Sequence, residues 1–127
     1  MQNPDRDLWP DDINQPPNIQ TPVTIMKEQA ALLGQKTSNL VVGDVRTYAD
    51  NNGFHQVFNL EAPSLGGYKY ELLRVIHSIK LYPVDIHFDD RTIRAESQEE
   101  FVEKLREIFA HDKTKNVIQA LIAQSQK

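Results

Sequence analysis

A chain of 127 residues with 39% hydrophobic and 25% charged residues has the size and composition of one globular domain. It has no cysteine, which excludes disulfides and thiolate chemistry, and a net charge of −4 without a basic block argues against nucleic acid as a partner. The first residues are polar and acidic, unlike a signal peptide, and no apolar stretch approaches the ~20 residues that cross a bilayer. We therefore expect a soluble, cytoplasmic protein with no membrane partner.

Residues 1–20 are predicted to form an extended, proline-rich segment ahead of a single domain at residues 21–127. The prolines in this segment remove backbone donors and disfavour helix in the residues before them. The only tryptophan of the chain, Trp9, also lies here. We expect Trp9 and Ile13 to fold back onto the domain. The alternative is that they anchor a partner or a second copy of the chain.

The first helix is predicted to begin at Thr21-Pro22, because threonine is a good N-cap and proline suits the first helical position. Gly34 or Asn39 can end it. Its apolar residues recur at helical spacing and are Ile25, Met26, Ala30 and Leu33.

From residue 40 the pattern changes to the alternation that is typical of β-strands. A strong turn at 50–53 joins the first two strands into a hairpin. The expected strands are 40–49, 54–62, 68–77, 81–88 and 92–95. Their connections are too short for parallel crossovers, so the sheet should be an antiparallel meander. Pro83 has no amide donor and should leave the fourth strand unpaired on at least one side.

Two helices are expected after the strands. Ser97 and Glu100 form a capping box ahead of an apolar run, and Asp112 is the expected cap of the last helix. The predicted fold class is α+β: a four- or five-stranded antiparallel meander with one N-terminal helix and two C-terminal helices packed on one face.

Strand alternation also predicts which side of the sheet is buried. The second face, away from the helices, is expected to carry an apolar group larger than a solvated face needs. That group consists of Val42, Val57, Leu73 and Val75. It predicts an interface, in the simplest case that of a homodimer.

Arg74 is expected on the core face, with Gln56 and Thr47 beside it in the predicted registers. A buried guanidinium needs carboxylate or carbonyl partners. Either Arg74 reaches solvent or pairs with a helix acid, or the three side chains form a pocket for an anion or carboxylate ligand between sheet and helices.

No motif in the chain indicates a cofactor, a nucleophile or a phosphate loop. Asp85, His87 and Asp89 alternate along one strand, but such a pattern is easily met by chance on a polar face, and no metal site is predicted. The residues therefore favour a protein that is not an enzyme, although paired acids for general acid–base catalysis cannot be recognised from sequence.

In size, acidic charge and element order the chain resembles small acidic secretion chaperones and immunity proteins, which also combine an antiparallel sheet with a few helices. It is also similar in layout to small bacterial proteins. The helix that the chaperones place between strands is missing here. The resemblance implies a non-enzymatic protein that acts through contacts with another protein or with a second copy of itself. The alternative is a small-molecule or anion-binding domain, or an enzyme, with its pocket around Arg74.

Overall fold

A computed structural model describes residues 6–126 and confirms the predicted α+β fold. The elements in chain order are α1 (Pro22–Lys36), β1 (Val42–Asp50), β2 (Gly53–Ala62), β3 (Tyr68–His77), β4 (Val84–Phe88), β5 (Arg91–Ala95), α2 (Gln98–Phe109) and α3 (Asp112–Ser125). A short 3-10 helix, Pro63–Leu65, connects β2 and β3.

The sheet is a five-stranded antiparallel meander in which each strand pairs with its neighbours in sequence. The first hairpin turns tightly, with Asp50 paired to Gly53. The Asn52 amide donates to the Asp50 carboxylate across 2.8 Å, and Gly53 adopts a φ of 121°, which a side chain would oppose. The turn predicted from these residues therefore depends on local chemistry.

The helix starts are held by side-chain caps. Thr21 accepts a hydrogen bond from the Thr24 amide, and Ser97 accepts one from the Glu100 amide, as predicted. The prediction that Asp112 caps the last helix is wrong, because His111 is the N-cap residue. The His111 ring nitrogen Nδ1 accepts from the Lys113 amide across 3.0 Å.

The three helices pack on one face of the sheet and enclose the core with it. α1 lies over β1, α2 contacts β5, and α3 reaches β2. The largest fully buried side chains include Met26, Phe58, Leu60, Leu73, Ile86 and Phe101. Helix and strand stripes therefore meet as the periodicity predicts, except in β3.

The faces of β3 are assigned wrongly by alternation alone. Leu73 and Val75, expected on the exposed face, are 1% and 0% exposed and lie in the core. The cause is a β-bulge: between the pairs Phe58–Leu73 and Leu60–Tyr70, β3 has one more residue than β2. The extra residue reverses the alternation, so side chains from 73 onward point to the side opposite to the expected one.

β4 also begins later than predicted. Leu81 has a left-handed φ of 76°, and its amide donates to the Ser78 carbonyl across 3.1 Å, which closes a turn where a strand was expected. Pro83 consequently precedes the strand. β4 pairs with β3 on one side and β5 on the other, so the expectation that it lacks a neighbour is wrong.

Candidate interaction surfaces

The three residues predicted to bind a ligand do not meet at one site. Thr47 and Gln56 lie on the helix-facing side of the sheet, where the Thr47 hydroxyl donates to Gln56 Oε1 across 2.5 Å. Arg74 lies on the other side, opposite Val57 in the register. The bulge in β3 separates them, so the three side chains do not line one pocket.

Thr47 and Gln56 instead belong to a hydrogen-bonded chain that ends at His77. The Gln56 amide nitrogen Nε2 lies 3.2 Å from His77 Nε2, and His77 Nδ1 lies 2.8 Å from the Ser78 carbonyl oxygen. Nδ1 must donate to the carbonyl, so Nε2 is the acceptor for the amide. Gln56 and His77 are buried, and this chain satisfies their polar atoms. Its role is structural.

The sheet face away from the helices, called the open face below, is covered with ion pairs. Asp44 accepts from Arg46 and Lys69, Arg74 pairs with Glu71 at 3.0 Å, and Arg94 pairs with Asp85. Burial alone would raise the pKa of Asp44, but the hydrogen bonds from Arg46 and Lys69 outweigh it and hold that pKa below its usual value. Arg74 also donates to the Tyr48 hydroxyl. The open face is thus polar and internally paired.

His55 is the least satisfied group on the open face. Its Nε2 donates to the Asp50 carboxylate across 2.9 Å, and the Tyr48 ring stacks on it with centroids 4.5 Å apart. Among the described residues its buried Nδ1 has no hydrogen-bond partner. Solvent does not reach that nitrogen beneath Tyr48, so His55 presents no accessible base.

The four valine and leucine residues predicted as a sheet interface are not one surface. Leu73 and Val75 are in the core, Val57 is buried on the open face, and Val42 is half-buried beside α1. No apolar patch made of these four is exposed in the part of the chain that is described. These four residues therefore do not form the single exposed surface that was expected.

The N-terminal arm, residues 6–20, carries four exposed large apolar side chains. Leu8, Trp9, Ile13 and Ile19 are 90%, 72%, 62% and 47% exposed. Residues 7–20 contain no helix or strand, and every described residue of the arm is exposed. The expectation that Trp9 and Ile13 pack on the domain is wrong.

The arm is attached to the domain at its last residue. The Gln20 amide donates to Gln98 Oε1 across 3.1 Å, and the Tyr82 hydroxyl donates to the Gln20 carbonyl across 2.8 Å. Tyr82 is partly shielded from water, and this burial, helped by the nearby Glu99 carboxylate, raises its pKa to about 12. The base of the arm therefore lies at the start of α2.

A second feature that the sequence did not indicate is a groove between α1 and the other two helices, called the interhelical groove below. It contains two adjoining cavities of about 370 and 230 Å³, both lined by Gln29 and Phe109. The lining is mostly apolar and includes Ile25, Leu32, Leu33, Phe58, Leu60, Leu72, Val102, Leu105 and Ile118. The one signal in the sequence is Leu32, an apolar residue outside the predicted α1 stripe.

Lys36 and Arg106 are the two cations that line the interhelical groove. Arg106 is two-thirds exposed and pairs with Glu103 on its own helix. Thr114 also lines the groove, but its hydroxyl donates to the Ile108 carbonyl across 2.7 Å and is not free for a ligand. The groove thus combines an apolar floor with a basic rim.

The described residues 6–126 contain no group of three potential metal ligands placed to share an ion. Asp85 pairs with Arg94 and Asp89 with Lys113, so these acids do not converge with His87. Within the same range there is no helix long and apolar enough to cross a bilayer.

Comparison of the chain with protein-family models, with curated proteins and with solved structures finds no match. Function is therefore inferred from the surfaces of this chain alone.

Proposed function

We propose that this protein is a non-enzymatic interaction module whose N-terminal arm presents the anchor for another protein chain. The observation that carries the proposal is the exposure of Trp9 and its neighbour Leu8, which are 72% and 90% exposed on a segment whose described residues are all exposed. Large aromatic side chains dominate the energetics of protein interfaces, and tryptophan is enriched among the residues that matter most.

Burying these side chains against a partner provides a clear driving force. Each large apolar side chain that moves from water into a contact stabilises it by roughly 1.5–3 kcal/mol. Pro10, Pro16 and Pro17 restrict the backbone of the arm, which lowers the entropy lost when it becomes ordered on binding. Asp7, Asp11 and Asp12 keep the free arm hydrated.

The domain supplies a rigid base for the arm. The hydrogen bonds of Gln20 to Gln98 and Tyr82 hold the arm where the helix layer begins.

The absence of cysteine from the whole chain is in keeping with a reducing compartment such as the cytoplasm.

Site-specific photo-crosslinking in the cells that naturally make the protein tests the proposal. A photoreactive aromatic amino acid replaces Trp9 in one variant, so that the anchor position stays aromatic, and Ile79 in a control. Ile79 is also apolar and is 83% exposed, but it lies in the β3–β4 loop. We expect covalent adducts with a protein chain from position 9 and not from position 79. Equal yields at both positions would contradict the proposal.

A competition step separates specific capture from surface stickiness. Excess unlabelled wild-type protein should suppress the adduct at position 9, whereas excess Trp9→Ala should not. Suppression by both proteins to the same extent would mean that Trp9 is not the anchor.

A further inference from the structure

We infer that the arm of one copy of this protein binds in the interhelical groove of a second copy, so that the chain forms an arm-exchanged dimer. This inference rests on the proposed function and names the partner of the arm. It joins two features of the described residues, the exposed apolar side chains of the arm and the apolar lining of the interhelical groove.

The groove is large enough for side chains. Its two cavities, about 370 and 230 Å³, each exceed many times the ~30 Å³ that one water occupies in the liquid. The floor is formed by core residues of the sheet, Phe58 and Leu60, and Leu32 on the α1 wall stays 43% exposed although it is apolar. An apolar cleft of this kind is stabilised when apolar side chains displace its water.

The charges of the arm and the groove are complementary. The arm places Asp7, Asp11 and Asp12 around Trp9, and the groove has Lys36 and Arg106 on its rim. An acidic segment with an aromatic centre therefore meets an apolar floor bordered by Lys36 and by Arg106, which also pairs with Glu103, and this favours the segment over basic ones.

The position of the arm favours a second copy as the owner of the groove. Within one protomer every described residue of the arm is exposed, and Trp9 is 72% exposed. Residues 6–20 can extend to roughly 50 Å at ~3.3–3.6 Å per residue, enough to reach a neighbouring molecule. Two arms exchanged about a twofold axis bury two Trp9 side chains per dimer, and such a closed arrangement leaves no groove to recruit further copies.

Sedimentation equilibrium of the full-length protein provides the first measurement. We expect the wild type to be a dimer at tens of micromolar. Trp9→Ala in the arm and Leu32→Glu in the groove should each raise the dissociation constant ~10-fold or more, because each removes the apolar contact. Ile79→Ala, at an exposed apolar site outside both features, should not change it. Circular dichroism confirms folding of each variant, and Lys36→Glu serves as a second groove variant if Leu32→Glu fails to fold.

Mixing the two weakened variants gives the sharpest test. The Leu32→Glu copy keeps the only tryptophan in the mixture, and the Trp9→Ala copy keeps an intact groove. Adding Trp9→Ala protein should shift the fluorescence of Trp9 to the blue and restore a mixed dimer. Adding more Leu32→Glu protein should not.

The possible contrary results are distinguishable. A monomeric wild type with water-like Trp9 emission overturns the exchange but leaves the arm free for another protein, as the proposed function requires. Blue-shifted emission that does not depend on concentration places the arm in its own groove and overturns both. A dimer that survives both variants uses another surface, and the inference is then wrong.

Discussion

Gly43 of β1 lies directly beneath Ala30 of α1. A Cβ atom built on Gly43 would stand 2.5 Å from the Ala30 Cβ, 2.6 Å from its Cα and 3.1 Å from the Phe58 ring. α1 can approach the sheet this closely only because residue 43 has no side chain. The position of α1, and with it one wall of the interhelical groove, depends on this contact.

Gly43→Ala is therefore expected to destabilise the protein. Ala30 presents backbone to the new methyl group, so α1 must shift, at a cost of ~1–3 kcal/mol that is typical of overpacking. Urea denaturation measures the change, with Arg46→Ala on the open face of the same strand as the control. If Gly43→Ala is as stable as the control, α1 does not pack as closely as described.

Leu73 provides a test of the β3 faces. Because it is buried among core residues, Leu73→Ala should lower the free energy of unfolding by ~2–5 kcal/mol, and Leu73→Asp should prevent folding. Ile79→Ala, which is exposed, should stay within ~0.5 kcal/mol of the wild type. A folded and stable Leu73→Asp protein would contradict the bulged register.

Gln56 and Arg74 should differ in their effects on stability. Gln56→Leu leaves the buried His77 ring and the Thr47 hydroxyl without their partner, and we expect a loss of ~1–3 kcal/mol. Arg74→Ala removes a partly exposed ion pair with Glu71 and should cost no more than ~1 kcal/mol. Chemical denaturation of the two variants decides this, and the reverse order would mean that Arg74 is the structural residue.

Tyr82 should ionise only in strongly alkaline solution. Its pKa is raised to about 12, first by burial and then by Glu99, so the neutral phenol is favoured in the folded state. A raised pKa contributes stability that is complete below pH 10, the ordinary tyrosine value, and is lost as the pH rises towards 12. Ultraviolet titration of the folded protein should show one phenolate step near pH 12, which Tyr82→Phe removes.

Persistence of that step in Tyr82→Phe would assign it to another tyrosine.

The same variant also removes the hydrogen bond from Tyr82 to the Gln20 carbonyl, at the base of the arm. We expect Tyr82→Phe to weaken dimerisation less than Trp9→Ala does, because it loosens the base of the arm but leaves the anchor Trp9 in place.

The sequence alone determined the type and order of the elements. The caps at Thr21 and Ser97, the turn before Gly53 and the helical and strand periods all act between residues close in the chain. These short-range effects predict a helix, four or five strands and two helices without knowledge of the packing. Local chemistry is sufficient for such features.

The tertiary structure decided which surfaces the protein has. One extra residue in β3, set by its pairing with β2, moved Leu73 and Val75 into the core and Arg74 out of it. The exposure of Trp9 depends on whether any part of the domain meets the arm, and the groove depends on how three helices share one sheet face. Each of these follows from contacts between residues distant in sequence, which periodicity does not encode.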